Sequence, residues 1–328
     1  MNVRTVADMN RTIVQNLSSV PASIDLVAGV PRSGLLAATL VSLHLNLPLT
    51  DIEGLCEGRR FETGKRPLRG DSSSRMNADE PHVLVVDDCI SKGTELAKVK
   101  ERLANAGIAG RMTYLVVYAF PDRPEAADIV LEVVPRPMVF EWSFIHSAML
   151  QHACVDIDGV LCVDPTAEED DDGARYRTFL EAAQPLMVPT VFVGALVTAR
   201  LEKYRPETEA WLAKHGVQYG QLLMMDYPTP EARQGKQAKF KAEAFRATGA
   251  SVFVESDARL ANEIAQLSGK PAIAFGTNEL YKPSLIGRLR IRWQWLAANH
   301  GHTLWYRLFF RAPRKVFRSL FSLVRRRR

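Results

Sequence analysis

Apolar positions fall along the chain in short runs, each followed by a stretch of helical period. IDLVAGV (24–30) has the length and composition of a buried strand, and SGLLAATLVSLHL (33–45) reads as a helix that opens on small residues. HVLVVDDCI (82–90) is a second strand, GTELAKVKERLANAG (93–107) a helix closed by Gly107, and MTYLVVYAF (112–120) and ADIVLEVV (127–134) are further strands. Strands alternating with helices predict a parallel sheet covered on both faces. The pattern then restarts. HACVDIDGVLCV (152–163) and TVFVGALVTAR (190–200) predict strands, PETEAWLAKHG (206–216) a helix, ASVFVESDARLANEIAQLSG (250–269) a strand, turn and helix, and KPAIAF (270–275) a last strand. The polar stretch between 53 and 81 is too long for an ordinary connection and predicts a mobile functional loop.

Length agrees with two domains, since 328 residues exceed what one core usually holds. The boundary is placed near residue 147, giving domains 1–147 and 148–283 and a tail of 284–328. A composition of 47% hydrophobic and 24% charged residues argues against bulk disorder. Cys56, Cys89, Cys154 and Cys162 form no C-x-x-C pair, so neither a disulfide framework nor a zinc site is indicated. There is no secretory h-region at the start and no apolar run of membrane-span length, and a cytoplasmic location is expected. The net charge of +5 hides a partition. Residues 284–328 hold eleven Arg, one Lys and no acid, which leaves 30 basic residues against 37 acids in the rest, or −7.

Two places carry chemistry. In VLVVDDCISKGTEL (83–96) an apolar strand ends in Asp87 and Asp88 and runs through a Ser91–Lys92–Gly93–Thr94 turn into a helix. The free amides of a helix start favour a phosphate, and neighbouring carboxylates suit the vicinal hydroxyls of a ribose. The segment resembles the signature of the type I phosphoribosyltransferases. That resemblance implies phosphoribosyl diphosphate with Mg²⁺ as donor, Asp87 and Asp88 on the ribose hydroxyls, and Ser91, Lys92, Gly93 and Thr94 on the 5-phosphate. In AGVPRSG (28–34) it places Arg32, Ser33 and Gly34 on the diphosphate, and in the basic stretch it implies a lid with Arg59, Arg60, Lys65, Arg66 and Arg69. Lys92 and Glu95 stand where the family usually has Thr.

In VDIDGVL (155–161), Asp156 and Asp158 lie two apart, on one side of an extended run, before a glycine. Two such carboxylates can share a cation, one attacking phosphorus and the other moving a proton. The segment resembles the first motif of the haloacid dehalogenase superfamily phosphatases. By that resemblance Asp156 is the nucleophile, Asp158 the general acid/base, and Thr198 of LVTAR the phosphoryl-holding hydroxyl. Lys241 is the motif lysine, with Lys236 and Lys239 as competitors, and Mg²⁺ is held by Asp156, Asp158 and Glu255 or Asp257. About 40 residues between the first two motifs leave room for a small cap only.

In the tail, Arg307, Arg311, Arg314, Lys315 and Arg318 share one helical face, with Trp305, Phe309, Val316, Leu320 and Leu323 opposite, the composition of an interfacial membrane helix kinked at Pro313. The expected fold class is α/β: two doubly wound parallel-sheet domains, phosphoribosyltransferase-like and then haloacid dehalogenase-like with a minimal cap, plus a basic amphipathic C-terminal tail. The whole resembles two-domain proteins that put ribofuranose into bacterial surface polysaccharides. The resemblance implies transfer of 5-phosphoribosyl to a glycan or lipid-linked oligosaccharide acceptor, then removal of the 5-phosphate, at the inner face of the cell membrane. The expected partners are the donor, that acceptor and an anionic membrane surface, without nucleic acid; a homodimer is the assembly to test. A base-salvage transferase fused to a nucleotidase, and a non-catalytic donor sensor fused to a phosphatase, are the alternative readings.

Overall fold

The computed structural model describes residues 1–59, 61, 80–90, 93–121 and 127–284. Expectations placed on Arg60, Lys65, Arg66, Arg69, Ser91, Lys92 and residues 285–328 lie outside the described residues. The chain divides into two compact units between Phe144 and Ile145.

The first unit runs β1 (Asn2–Arg4), α1 (Val6–Gln15), β2 (Leu26–Gly29), α2 (Ser33–Leu45), β3 (Leu49–Asp51), α3 (Ile52–Cys56), β4 (His82–Ile90), α4 (Thr94–Asn105), β5 (Arg111–Ala119), β6 (Ile129–Val133) and β7 (Met138–Phe140). Five strands form one sheet in the order β3-β2-β4-β5-β6, and every pairing in it is parallel. Such sheets are covered on both sides, so their strands read as unbroken apolar runs. Alternate residues of β4 serve opposite faces. Leu84 and Val86 pack with Met9, Ala37, Ala38 and Val41 from α1 and α2, while Val83 and Val85 pack with Ile52, Leu55 and Leu103. β1 and β7 pair in parallel apart from this sheet.

Two helices here went beyond the sequence reading. α1 opens with a reciprocal cap, in which the Thr5 side chain accepts the Asp8 N–H and the Asp8 side chain accepts from Thr5. α3 takes the first residues of the stretch expected to be loop, and Asp51 caps it.

The second unit runs β8 (Ala153–Val155), α5 (Ala174–Ala182), β9 (Val193–Leu201), α6 (Arg205–Lys214), β10 (Tyr219–Met225), α7 (Pro230–Arg233), α8 (Gln237–Ala247), β11 (Val252–Glu255), α9 (Ala258–Ser268), β12 (Ala272–Ala274) and β13 (Glu279–Tyr281). The sheet order is β10-β9-β8-β11-β12-β13, parallel except at the β13 edge. Phe245 of α8 and Ile264 and Ala265 of α9 cover one face through Cys154, Val197 and Phe253. Between β8 and β9 the described chain carries α5 alone, which packs on α6. The predicted strand 152–163 is cut to Ala153–Val155. Past it the amides of Leu161 and Cys162 turn back onto the Ile157 carbonyl, and Gly159 takes φ +72°. Asp156 and Asp158 therefore lie past the end of the strand, at the turn, and line one cavity.

Candidate active sites

In an open α/β sheet, ligands bind beyond the carboxyl ends of the strands where the strand order reverses. The first sheet reverses between β2 and β4, and the second between β8 and β11. Each unit places its acids there.

In the first unit a cavity of about 340 Å³ is lined by Ser33, Asp87, Asp88, Gly93, Thr94 and Glu95, among others. Asp88 is nearly sealed, at 6% exposure. Its Oδ1 accepts the Ser33 hydroxyl at 2.8 Å and its Oδ2 accepts the Trp142 indole N–H at 2.8 Å. The Asp88 amide donates to Asp87 Oδ1 at 2.9 Å. Gly34 lets the start of α2 approach the acids, since a Cβ there would lie 2.7 Å from Asp87 Oδ1. Burial, and then the neighbouring Asp88 charge, push the Asp87 carboxyl up to about 8. The Cys89 thiol beside them is pushed up to about 12, by burial and then by both carboxylates, and is inert as a nucleophile. Gly93 caps α4 at φ +80°, and Thr94 opens that helix. Glu95 faces solvent and pairs with Lys98 at 2.8 Å. Arg32 is exposed at the entry to α2. Arg59 folds back on Glu57 at 3.2 Å and Asp51 at 3.9 Å and does not line the cavity.

The second cavity, about 250 Å³, is lined by Asp156, Asp158, Asp164, Lys241, Glu255 and Asp257 among others. Lys241 is buried and bridges two acids, donating to Asp156 Oδ2 at 2.6 Å and Glu255 Oε2 at 2.7 Å. Of the three lysines left open by the sequence, this one reaches the acids. Lys239 is exposed, and Lys236 caps α8 and lies 4.5 Å from the centre of the Tyr227 ring. Burial opposes the charge of Lys241, but the attraction of Asp156 and Glu255 outweighs it and raises the ammonium above its usual range. The repulsion between the two acids shows at Asp156, whose carboxyl burial, and then Glu255, push well up.

Arg200 dominates the other acid. Its Nε donates to Asp158 at 3.0 Å and its outer nitrogen at 2.6 Å, a two-pronged pair with the guanidinium fully buried. Sequence reasoning passed over Arg200, yet the signal was present: it lies two residues beyond Thr198 in one strand, on the same face. Thr198 is wholly buried and its hydroxyl accepts the Arg200 amide at 3.2 Å. Trp142 was also passed over, and no local pattern marks it.

The acids expected to hold Mg²⁺ are otherwise engaged. Asp158 is taken by Arg200, and Glu255 by Lys241 and the Ser256 amide; Asp257 caps α9 through the Leu260 N–H at 2.7 Å. No cluster of three or more acids, histidines or cysteines fit for a metal occurs among the described residues. In this arrangement the donor set does not fit a metal cage. No helix among the described residues is long and apolar enough to cross a membrane.

Residues 2–147 match the phosphoribosyl transferase domain family. Similar solved structures include a purine phosphoribosyltransferase from Pyrococcus horikoshii Ot3, at 22% identity over 43% of this chain and 95% of that one, TM-score 0.31. A Helicobacter pylori xanthine-guanine-hypoxanthine phosphoribosyltransferase is 15% identical over 43% of this chain and 91% of its own, TM-score 0.32. A Neisseria gonorrhoeae hypothetical protein with bound ppGpp is 16% identical over 43% and 89%, TM-score 0.31. No curated protein matches the chain. The family assignment supports phosphoribosyl transfer from phosphoribosyl diphosphate in general terms.

Proposed function

We propose that the chain is a bifunctional enzyme that transfers 5-phosphoribosyl from phosphoribosyl diphosphate to a glycan acceptor, lipid-linked in the cell, and then removes the 5-phosphate to leave a ribofuranosyl residue. The observation that carries this reading is that each unit has its own acid centre at the reversal point of its own sheet.

In the transfer, an acceptor hydroxyl attacks the anomeric carbon of ribose and diphosphate leaves. Asp87 accepts from a ribose hydroxyl, and the amides at the start of α4, with the Thr94 hydroxyl, hold the 5-phosphate. Mg²⁺, when bound with the diphosphate, neutralises its charge.

In the second step Asp156 attacks the phosphorus and the bond to the ribose O5 breaks. The ribose oxygen takes its proton from the Asp158 carboxyl, and water then releases phosphate from the aspartyl group and returns a proton to Asp158. Lys241 holds Asp156 in place. Asp158, oriented by Arg200, carries that proton in both directions in this reading. No step is routed through a metal in this unit. The basic residues of 284–328 would hold the enzyme to an anionic leaflet, each contributing about 1 kcal/mol.

The test is mass spectrometry of a lipid-linked oligosaccharide incubated with protein, phosphoribosyl diphosphate and Mg²⁺. A gain of one pentose is expected. Donor turnover with no mass gain on any glycan rules out the glycan acceptor.

A further inference from the structure

We infer that Trp142 is a positioning residue of the donor site: with Ser33 it saturates Asp88, so that Asp87 alone of the two acids meets the ribose. The inference rests on the donor-site reading above and revises the expectation that both acids bind ribose hydroxyls.

The geometry is specific. Ser33 and Trp142 donate to different oxygens of Asp88, each at 2.8 Å. A carboxylate oxygen can accept a second bond, but Asp88, though it lines the cavity, is only 6% exposed and already holds a donor on each oxygen. Asp87 lines the same cavity, is less buried than Asp88 and accepts the Asp88 amide. The indole is itself held. It stacks on Phe140 at 4.7 Å between ring centres and 24° between planes, and Phe140 packs on Tyr118 of β5 at 5.6 Å. Phe140 also stands in the β7 register opposite Arg4 of β1, so the closing segment of the unit fixes the direction of the N–H.

The chemical consequence is a division of labour. Two donors satisfy Asp88, while burial, and then the Asp88 charge, push the Asp87 carboxyl up, so that Asp87 holds a proton near neutral pH. Among the described residues, the charged and titratable groups facing the pair are Glu95 of α4, Cys89 of β4 and Arg136, whose charge reaches Cys89. A protonated Asp87 can donate to one ribose hydroxyl oxygen while accepting from another, which a second anion cannot.

Calorimetry of the full-length chain with phosphoribosyl diphosphate and Mg²⁺, from about pH 6 to about pH 9, tests this. Wild type is expected to bind and to lose affinity as the pH rises through the Asp87 titration. Trp142→Phe keeps a ring on Phe140 but removes the N–H. Losing a hydrogen bond to a charged group should weaken donor binding by about tenfold. It should also move the pH of half-loss upward, because the pair then gives up its last proton less readily. In wild type, the Trp142 indole N–H resonance should titrate with the same midpoint and shift on adding donor, a readout that does not need the variant to fold. Unchanged binding in Trp142→Phe, weaker binding with an unmoved midpoint, or an indole signal indifferent to pH and donor overturns the proposal. Failure of wild type to bind the donor overturns the donor reading as well, and so separates the two.

Discussion

At the scale of single residues, both sites depend on carboxylates held where they repel each other. Asp87 has its titration raised from 3.8 to about 8, first by burial and then by Asp88. The folded state therefore binds this proton more tightly than the unfolded chain does. The stability it contributes is fully present below 3.8 and is lost as the pH rises through about 8. Asp87→Asn, uncharged at every pH, should flatten thermal stability across that window and raise the melting temperature at the alkaline end. A melting profile with the wild-type pH slope contradicts the raised titration. Lys241 is the opposite case, one cation between two buried acids. Lys241→Met leaves Asp156 and Glu255 without their counter-charge, and breaking a buried pair in this way costs about 3–5 kcal/mol. Denaturant unfolding should report that loss together with loss of phosphate ester hydrolysis. A variant as stable as wild type would mean that the acids are solvated and that the bridge is not structural.

At the scale of elements, helix starts are packed hard against strand ends. Gly34, in the first turn of α2, is where a Cβ would come within 2.7 Å of Asp87 Oδ1 and 3.0 Å of the Val86 carbonyl. Gly34→Ala must therefore displace α2 or β4, and overpacking of this kind costs about 1–3 kcal/mol. Donor affinity should fall by more than global stability explains, because Ser33, next in the chain, loses its reach to Asp88. Donor titration and unfolding on the same preparation separate the two effects. The elements were legible where the sequence is apolar on both faces of a strand. VLVV before Asp87 and ALV before Thr198 sit in strands buried on both sides. Legibility failed where a contact, rather than a periodicity, decides. The run into Asp158 reads as a strand by composition, yet Gly159 turns the chain, and Ser256 stands so close that a Cβ on Gly159 would lie 2.5 Å from its Cβ. α1 and α5, with one apolar stripe each, and the strand YGQLLMM of β10, with its mixed polarity, gave weaker signals than the central strands. Of the two sites, adjacency in sequence revealed the acids. The groups that hold them, Trp142 and Arg200, come from other strands and segments, and only the fold brings them together.

At the scale of the whole chain, an acidic body and a strongly basic end suggest separate jobs. Cutting after Lys282 removes twelve basic residues and three tryptophans. The shortened chain should lose co-sedimentation with anionic vesicles at moderate salt and keep hydrolysis of a small soluble phosphate ester; retained co-sedimentation would place the anchor elsewhere. The order of the two reactions is the larger question. The start of α4 is suited to a 5-phosphate, so in the proposed sequence of reactions the second unit should act on the product of the first. Asp156→Asn keeps the shape of that side chain but has no effective nucleophile for phosphorus. Its Lys241 contact becomes weaker, so folding is checked first by its melting profile. With donor, Mg²⁺ and the true acceptor, this variant should accumulate acceptor bearing ribose and phosphate together, where wild type yields the same species lighter by one phosphate. Adding a full-length Asp87→Ala chain, impaired in transfer but intact in the second unit, should convert the first product into the second. That mixing step separates a blocked hydrolysis from a damaged transfer, since only a genuine intermediate can be completed in trans. If Asp156→Asn alone releases the phosphate-free product at the wild-type rate, the two centres do not act in sequence. The second unit must then act on a different phosphate ester.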